Sequence, residues 1–400
     1  MPSSRSTTTS DAIADGARPV APGHTARVPE GIHCAQDYEA LASRFLDVPV
    51  HAYIAGGSGR ERTLEANSRA FEGLGIHPRV LRDARTGHTR LKLLGRELAH
   101  PVLLAPLAFQ ALAHPLAERA TARGAAASDT CLVASTLSSC SLEAIAAEAG
   151  PDRWFQLYIQ PRREDTLALV RRAEAGGYGA LVVTLDAPVQ APSLRALRAG
   201  FRFPDTVLAA NLAGHAPTPP LPAPARGTSR IFQGIMAQAP GWRDLPWLLG
   251  QTRLPVLAKG VLHPCDAKVL KRAGVAGLIV SNHGGRALDG APASLDALSA
   301  IRRAVGEDYP LLLDGGIRSG DDAFKAIALG ADAVLVGRLQ VYALAAAGAL
   351  GVAHLIRLLR EELELCMALA GCPTLADVDE TAIHRWSPAP LPEHPKQQRC

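Results

Sequence analysis

The chain alternates short apolar runs with longer segments whose apolar residues recur at helical spacing. Each run is apolar at successive positions, which is typical of strands buried on both faces of a parallel sheet. The runs predict eight strands at residues 101–107, 131–136, 154–159, 180–186, 255–261, 277–282, 310–316 and 333–338. Segments with helical spacing between them include 114–129, 141–150, 164–176 and 320–330. Most of these end near a glycine, which suits a helix C terminus.

A strand followed by a helix, repeated eight times, is the pattern of a (β/α)8 barrel. The sequence therefore predicts an α/β fold of the TIM-barrel type for residues 31–386. An open, doubly wound sheet remains the alternative, although no Gly-x-Gly-x-x-Gly motif follows the first strand. The connection after the fourth strand, residues 187–254, is unusually long and includes a proline-rich piece at 214–230. A loop of this size in a compact domain is usually functional or disordered, and we expect it to lie over the strands' C-terminal ends.

Composition limits the classes of function. The 400 residues carry a formal charge of +4 without a basic stripe, which favours a small-molecule partner over nucleic acid. Seven widely spaced cysteines form no Cys-x-x-Cys pair, which predicts reduced thiols in a cytosolic protein rather than a zinc site or a redox dithiol. No segment approaches the ~20 apolar residues of a membrane helix, so we expect a soluble chain without a membrane partner. Residues 1–30 are predicted to be a disordered leader, and residues 387–400 a flexible tail.

Polar residues follow the predicted strands at the end of the barrel where this fold carries its chemistry. They are Ser135, Gln156, Tyr158, Thr184, Asp186, Lys259, Ser281, His283, Arg286, Asp314, Arg318 and Arg338. A single residue of this kind could be a satisfied polar group of the core. So many at one edge predict an active site.

The seventh and eighth strands end in the glycine-containing sequences LLLDGGIRSG and VLVGR. TIM barrels often bind phosphate at these two strands, on backbone N–H groups and a short helix N terminus. Arg318 and Arg338 would add paired donors to the phosphate oxygens. The alternative is a pair of glycine turns with exposed arginines, but two motifs at the appropriate strands favour a phosphate site.

The stretch SNHGGRALDG, residues 281–290, places an imidazole and a guanidinium just after the sixth strand. A histidine in such a place is more often a hydrogen-bonded structural residue, but Asp186 ends the fourth strand and could face it across the barrel mouth. A carboxylate beside an imidazole fixes the ring's orientation and stabilises its protonated form, as a catalytic base requires. Arg286 could then bind a substrate carboxylate, with the Tyr158 hydroxyl beside it.

With these residues the chain resembles the FMN-dependent α-hydroxy acid oxidases and dehydrogenases, a family that includes glycolate oxidase, lactate oxidase and mandelate dehydrogenase. The resemblance runs from about residue 34 to residue 386, and SNHGGRALDG together with LDGGIRSG is its most specific part. It implies oxidation of a small (S)-2-hydroxy acid to the 2-oxo acid, with electrons passed from FMN to oxygen or another acceptor. It also implies a homotetramer.

The resemblance assigns the FMN site residue by residue. The phosphate is implied to bind at Gly315, Gly316, Arg318, Gly337 and Arg338, next to Asp314. The flavin ring is implied to rest on Pro106, Leu107 and Ala108, with Ser135, Gln156 and Thr184 at its polar edge. Lys259, with Ser281 beside it, is implied to lie near flavin N1 and O2, where a cation stabilises the negative charge of reduced flavin.

The same resemblance implies the catalytic residues. His283 is implied as the base, Asp186 as its partner and Arg286 as a ligand of the substrate carboxylate. Tyr158 and Tyr38 are implied as the two substrate tyrosines. Tyr38 lies in CAQDYEALASRFL, which is expected to form an N-terminal helix that covers the barrel.

One stretch departs from the family pattern. After the fourth strand the family usually carries Gly-x-Arg-Arg-Glu-x-Asp, whose second arginine grips the substrate carboxylate, whereas this chain reads DAPVQAPSLRALRAGF. Counting without gaps from Asp186 to Phe201 puts Ser193 in the place of that arginine. Either Arg195, two residues away, reaches into the site instead, or the second carboxylate ligand is missing.

Two alternatives to hydroxy-acid oxidation follow from the same residues. Fold alone does not exclude a phosphate-binding barrel with non-redox isomerase or synthase activity, which would bind no flavin. Ser193 motivates the other alternative, an FMN-binding protein with an altered substrate or little hydroxy-acid turnover. The pairing of His283 with Asp186 favours oxidation over the non-redox barrel, because other phosphate-binding barrels share the glycine loops but not that pair.

Overall fold

The computed structural model describes residues 27–215 and 227–386, in which eight parallel strands close into a barrel. The strands are β1 Val102–Leu104, β2 Leu132–Ser135, β3 Arg153–Leu157, β4 Leu181–Thr184, β5 Val256–Val261, β6 Gly277–Val280, β7 Leu311–Asp314 and β8 Ala333–Val336. Each strand pairs with the next along the chain, and β8 closes the barrel on β1 with Leu335 opposite Leu103. The predicted TIM barrel is confirmed, and the open-sheet alternative is wrong.

Helices surround the barrel and cover its mouth. They are α1 Asp37–Leu41, α2 Val48–Ala55, α3 Arg62–Glu72, α4 Ala117–Ala127, α5 Leu142–Ala146, α6 Arg163–Ala175, α7 Leu194–Arg198, α8 Asp244–Leu249, α9 Pro264–Arg272, α10 Ser294–Val305, α11 Gly320–Ala328 and α12 Arg338–Ala370. Side-chain caps fix several of their starts. The hydroxyls of Ser141 and Ser319, for example, accept hydrogen bonds from backbone N–H groups in the first turns of α5 and α11.

Strand side chains alternate between two apolar layers, which explains why each predicted run is apolar throughout. Leu103, Val133 and Val182 belong to a cluster inside the barrel. Their neighbours Leu104 and Val183 belong to the larger cluster between the strands and the helices. Burial on both sides leaves the strands little freedom to shift, so the barrel holds the residues at the strand ends in fixed relative positions.

Elements outside the repeat close the two ends of the barrel. The antiparallel hairpin of Leu91–Leu93 and Arg96–Leu98 buries Leu93 and Leu98 in the interior cluster, where the strands begin. At the opposite end, the C-terminal part of α2 reaches the barrel mouth, and α2 packs against α7. The N-terminal helices therefore cover the end of the barrel at which polar residues collect.

The expectation that no segment has the length and composition of a membrane span is wrong for helix α12. Its 33 residues are long and apolar enough to cross a membrane. Most of this stretch is buried inside the fold, however, and the backbone leaves helical geometry at Ala347 and Gly348. Gly348 has a φ of 57°, a conformation that glycine adopts readily. The element is thus two helices joined by a kink, and its apolar surface belongs to the core.

Some predictions fall on residues outside the described ranges. The predicted tail, residues 387–400, lies wholly there, and the predicted leader, residues 1–30, lies there up to residue 26. The proline-rich piece lies there from residue 216 to residue 226. The remainder of the long connection carries α7, α8 and the short helical turns Ala210–Leu212, Arg230–Gly234 and Ile235–Gln238.

Candidate active site

The C-terminal ends of the strands surround a cavity of about 450 Å³. Predicted site residues that line it are Pro106, Leu107, Ala108, Ser135, Gln156, Tyr158, Thr184, Lys259, His283, Arg286, Asp314, Gly315, Gly316, Arg318, Gly337 and Arg338. Ser281 and Asp186 stand behind this lining, and both are hydrogen bonded to His283. The strand ends therefore bring together residues that are far apart in the sequence.

His283 is held by its own backbone as well as by a carboxylate. It has a φ of 60°, and the positive φ values of Gly284 and Gly285 continue the turn that ends β6. Its backbone N–H donates to the hydroxyl of Ser281 at 3.0 Å. Its ring Nδ1 lies 2.9 Å from Oδ1 of Asp186. With Nδ1 engaged in this way, Nε2 is the ring nitrogen left to exchange a proton with a ligand.

Asp186 is a buried carboxylate whose charge is stabilised by its neighbours. Burial acts to raise its pKa, but the hydrogen bond and charge of His283 and the charge of Lys259 outweigh burial, so the pKa lies below the usual 3.8. Asp186 is therefore ionised at neutral pH. Glycine at position 260 leaves room for the Asp186 side chain, because a Cβ on Gly260 would lie 2.5 Å from Cβ and Cγ of Asp186.

Lys259 forms a buried ion pair at the end of β5. Its Nζ lies 2.5 Å from Oδ2 of Asp314 and donates to the hydroxyl of Ser281 at 2.9 Å. That hydroxyl in turn donates to Asp314 at 3.0 Å. Burial acts to lower the pKa of Lys259, but the negative charges of Asp314 and Asp186 reverse this effect and raise the pKa above its usual value. Lys259 is therefore protonated at neutral pH, as the cation of a buried ion pair at this edge of the cavity.

A polar cluster at the ends of β2 and β3 has one unused donor. Oε1 of Gln156 accepts hydrogen bonds from the Ser135 hydroxyl at 3.0 Å and from the backbone N–H of Thr136 at 3.3 Å. These contacts direct the amide, but its buried Nε2 has no partner among the described residues. A buried donor without an acceptor is costly, so this atom is well placed to bind a ligand that enters the cavity.

The glycines after β7 and β8 let the backbone approach other groups closely. Gly315 and Gly316 have φ values of 114° and 95°. A Cβ on Gly316 would lie 2.8 Å from the ring of Phe71 in α3. Beside Gly337, by contrast, a Cβ would meet no described atom within 4 Å, and helix α12 begins at the next residue. This end of the cavity combines open space with a helix N terminus, as a phosphate site requires.

The two predicted phosphate arginines border the cavity and also bind protein groups. Arg318 donates from Nε to Oε2 of Glu39 at 2.5 Å. Arg338 donates to the carbonyls of Ile54, Gly284 and Gly56 at 2.9 to 3.0 Å. Burial, reinforced by the charge of Arg286, lowers the pKa of Arg338 to about 10, so it remains charged at neutral pH. A guanidinium has five N–H donors, and these protein contacts leave some of them for a phosphate. Phosphate binding by Arg318 and Arg338 stays a prediction.

Arg286 lies beside a tyrosine that the sequence did not single out. Its Nη1 donates to the carbonyls of Tyr53 and Gly56, each at 2.8 Å, and its Cζ lies 4.9 Å from the centre of the Tyr53 ring. Burial raises the pKa of Tyr158 to about 12, which keeps its hydroxyl protonated as a donor. Both tyrosines line the cavity with Arg286.

Tyr38 does not line the cavity, and the structure corrects its predicted place beside the substrate. Its side chain is fully buried against α12, where its hydroxyl lies 3.0 Å from Nδ1 of His354. The predicted helix forms as α1 and the short turn Ala42–Arg44. It packs on α12, and its Glu39 reaches Arg318 at the edge of the cavity. Tyr53, near the end of the following helix α2, lines the cavity beside Arg286.

Ser193 lies at the cavity, whereas Arg195 is directed away from it. Ser193 lines the cavity and caps α7, where its hydroxyl accepts from the N–H of Ala196 at 3.3 Å. Arg195 is not part of the lining; its guanidinium pairs with the carboxylate of Glu61. The prediction that Arg195 reaches the substrate carboxylate is therefore not met in this conformation.

Aromatic side chains that the sequence did not single out form one wall of the cavity. The Tyr53 ring stacks on Phe201 with centroids 4.3 Å apart, and Phe203 meets both rings edge to face. Phe109 packs against Phe203 with centroids 4.9 Å apart. Phe201 and Phe203 come from the long connection after β4, so only the folded chain shows that they meet residues from α2 and from the β1 end.

Comparisons with known proteins agree with this geometry. The family model described as FMN-dependent dehydrogenase matches residues 42–385. An L-lactate oxidase of Alicycliphilus denitrificans is 64% identical over 357 residues, covering 89% of this chain and 98% of that protein. A peroxisomal (S)-2-hydroxyacid oxidase of Arabidopsis thaliana is 39% identical, covering 87% of this chain and 95% of that protein.

Solved structures show the same relationship. A crystal structure of mandelate oxidase with (S)-2-phenylpropionate superposes with a TM-score of 0.78 at 42% identity, covering 86% of this chain and 96% of that one. The predicted family, cofactor and reaction are confirmed, and a non-redox barrel is not favoured. The chain belongs to the FMN-dependent dehydrogenase family: its cofactor is FMN, and its reaction is the oxidation of a 2-hydroxy acid to a 2-oxo acid.

Proposed function

We propose that the chain is an oxidase of L-lactate and related (S)-2-hydroxy monocarboxylic acids with apolar side chains, and that oxygen accepts the electrons. The observation that carries the proposal is the contact of His283 with Asp186 at the wall of a cavity that also contains Arg286. The high identity to an L-lactate oxidase supports both the substrate and the acceptor.

The cavity residues fit FMN in three respects. The unpartnered Nε2 of Gln156 offers a donor to the edge of the ring. Lys259 supplies the positive charge that favours reduced flavin, and the open space at Gly337 before α12 suits the phosphate. When bound, FMN would accept the α-hydrogen of the substrate together with two electrons, and the ketone forms as the hydroxyl proton passes to His283.

His283 is proposed to take the proton of the substrate 2-hydroxyl at Nε2. Asp186 would hold Nδ1 and stabilise the imidazolium that results, because it is ionised and only 2.9 Å away. Tyr158 and Tyr53 would donate hydroxyl hydrogen bonds, and Arg286 would bind the carboxylate with the N–H groups that its backbone contacts leave unused.

The charges around the cavity support a monocarboxylic substrate. Among the described lining residues, four lysine or arginine side chains carry a full positive charge. Lys259 is paired with Asp314, Arg318 with Glu39, and Arg338 with three carbonyl groups. Arg286 and Arg338 have no carboxylate partner among the described residues. Arg338 lies at the proposed phosphate end of the cavity, which leaves Arg286 for the substrate carboxylate. One available guanidinium matches one carboxylate, so we expect dicarboxylic hydroxy acids to be poor substrates.

The rest of the lining supports an apolar substrate side chain. Leu107, Leu137, Phe109, Phe201 and Phe203 contribute to it. A polar substrate side chain would have to give up hydrogen bonds to water on this wall without replacement. Lactate and larger 2-hydroxy acids with aliphatic or aromatic side chains fit the wall best.

Asp186→Asn is expected to slow flavin reduction by L-lactate about a hundredfold, because the amide no longer stabilises the imidazolium of His283. FMN content should remain normal. Anaerobic stopped-flow absorbance of the FMN-loaded variant checks this expectation. A rate within a factor of about two of the unaltered protein would remove Asp186 from the proposed mechanism.

Arg286→Lys is expected to lower kcat/KM for L-lactate about tenfold to a hundredfold, mainly through KM. Lysine keeps the charge but loses the fork that can bind a carboxylate while donating to the carbonyls of Tyr53 and Gly56. Steady-state kinetics with L-lactate and with its methyl ester separate the loss of carboxylate binding from the loss of the contacts with the two carbonyls. The ester lacks the carboxylate charge, so its kcat/KM should fall much less.

The experiment that tests the proposed function measures oxygen consumption and hydrogen peroxide together for L-lactate, D-lactate, (S)-mandelate and L-malate. We expect one peroxide for each L-lactate oxidised, activity with (S)-mandelate, and little with D-lactate or L-malate. A protein that binds FMN but turns over none of these acids would favour the alternative motivated by Ser193. Turnover with an artificial acceptor but not with oxygen would make the chain a dehydrogenase.

We further propose that the enzyme is a cytosolic homotetramer. The assembly is an expectation from the family resemblance, and light scattering of the purified chain tests it. The six cysteines within the described residues are all free thiols, which agrees with a reducing compartment. Fractionation of the producing cell would test the location.

A further inference from the structure

The segment from Gly56 to Glu61, here called the bridging loop, connects two sides of the active site. On one side its Gly56 carbonyl accepts from Arg286 and Arg338, and the Ser58 N–H donates to the Gly285 carbonyl at 2.8 Å. These contacts join it to the turn that carries His283. The bridging loop therefore has a fixed position relative to the base and to the carboxylate-binding arginine.

On its other side the bridging loop contacts the start of α7. The Gly59 N–H donates to the Pro192 carbonyl at 3.1 Å, and Gly59 pairs with Ser193 as an isolated bridge. A Cβ on Gly56 would lie 2.6 Å from Oγ of Ser193, so the two segments approach as closely as glycine permits. Residues 190–193, here called the α7 wall, line the cavity directly.

The ion pair between Arg195 and Glu61 joins these two segments. One carboxylate oxygen of Glu61 meets the Arg195 guanidinium, and the other accepts from the Gly57 N–H at 3.0 Å. Glu61 holds this geometry with a φ of 65°, which is unusual for a residue with a side chain. The Glu61 side chain is only 15% exposed, whereas Arg195 is 47% exposed, so the contact is fixed from the Glu61 side.

We propose that the Arg195–Glu61 pair is a positioning latch. It holds the α7 wall against the bridging loop, and so sets how tightly a hydroxy acid is retained, without either side chain contacting the substrate. Both residues are therefore positioning residues for the reaction proposed above, on which this inference rests. The opposing possibility is that Arg195 turns inward and binds the substrate carboxylate itself.

The variants Glu61→Gln and Arg195→Ala distinguish these possibilities. Glutamine keeps an acceptor for the Gly57 N–H but removes the charge that binds Arg195. A latch predicts that both variants raise KM for L-lactate about fivefold with kcat changed less than about twofold, since a partly exposed pair makes a modest contribution. The double variant should be no worse than either single one. Arg198→Ala is the control, because Arg198 is an exposed arginine of the same helix without an ion pair among the described residues.

A direct carboxylate ligand predicts a different pattern. In that case Glu61→Gln would release Arg195 toward the substrate and leave KM unchanged or lower it, while Arg195→Ala would raise KM. That result would overturn the latch, as would unchanged KM in both variants or full additivity in the double variant.

Hydrogen exchange of the FMN-loaded protein provides a readout that does not need turnover. The latch predicts faster exchange of the Gly59 amide and of the first amides of α7 in both single variants, and no change in Arg198→Ala. Unchanged exchange in Glu61→Gln and Arg195→Ala would contradict it. If no hydroxy acid reduced the flavin of the unaltered chain, the proposed function would fail, while the exchange measurement would still decide whether the latch exists.

Discussion

Replacing His283 by alanine is expected to slow flavin reduction by L-lactate about 10²- to 10⁴-fold while FMN remains bound, because the hydroxyl proton then has no positioned acceptor. The side chain is held by Asp186 at 2.9 Å, and alanine would leave that carboxylate without its proton partner. Anaerobic stopped-flow absorbance gives the rate of flavin reduction, and the ratio of flavin to protein absorbance gives the FMN content.

The matched control is His33→Ala, which removes an exposed imidazole remote from the cavity. We expect this variant to keep the rate of flavin reduction. Retention of fast reduction in His283→Ala would show that another group accepts the proton. Loss of FMN in that variant would instead place His283 in cofactor binding, contrary to the account given above.

Replacing Lys259 by methionine is expected to have the largest effect on stability, about 3 to 5 kcal/mol, because it leaves a buried carboxylate without its cation. The Lys259 side chain is 4% exposed and that of Asp314 is 11% exposed, so water cannot easily solvate the Asp314 carboxylate in place of the lysine. The variant should also bind FMN more weakly. Urea unfolding of the apoprotein measures the stability, and titration with FMN measures the affinity.

The double variant Lys259→Met with Asp314→Asn is expected to recover much of the lost stability, because no unpaired charge then remains buried. Lys268→Met, an exposed lysine of α9, should change little. If Lys259→Met unfolded at the same urea concentration as the unaltered chain, the buried ion pair would not be a source of stability.

The pH dependence of this contribution follows from the raised pKa of Lys259. A group whose pKa is higher in the folded state stabilises it fully below its unfolded pKa, about 10.5, and loses that contribution as the pH rises through the folded value. The loss therefore falls in the strongly alkaline range, and the ion pair is intact at neutral pH.

The barrel could be predicted because its strands are buried on both faces. Inward residues such as Val182 and outward residues such as Val183 are both apolar, so each strand appears in the sequence as an uninterrupted run. Once the runs are ordered in a barrel, the polar residues that follow them must meet at one end. This reasoning brought His283 and Asp186 together although they lie 97 positions apart.

The positions of Tyr53 and Arg195 could not be predicted in the same way, because neither lies at a strand end. Which N-terminal helix reaches the mouth depends on how α1 and α2 pack, and Tyr38 is directed toward His354 by its contact with α12. Arg195 follows Ser193 closely in sequence, but its partner Glu61 is 134 positions away. The docking of α7 on the bridging loop decides its direction.

The measurement that tests the central claim most directly is an anaerobic absorbance spectrum of the purified, FMN-loaded protein before and after addition of L-lactate, with D-lactate as the stereochemical control. We predict that L-lactate bleaches the oxidised flavin band rapidly and that D-lactate leaves it unchanged. A flavin band that neither enantiomer bleaches, and that larger (S)-2-hydroxy acids also leave intact, would contradict the account.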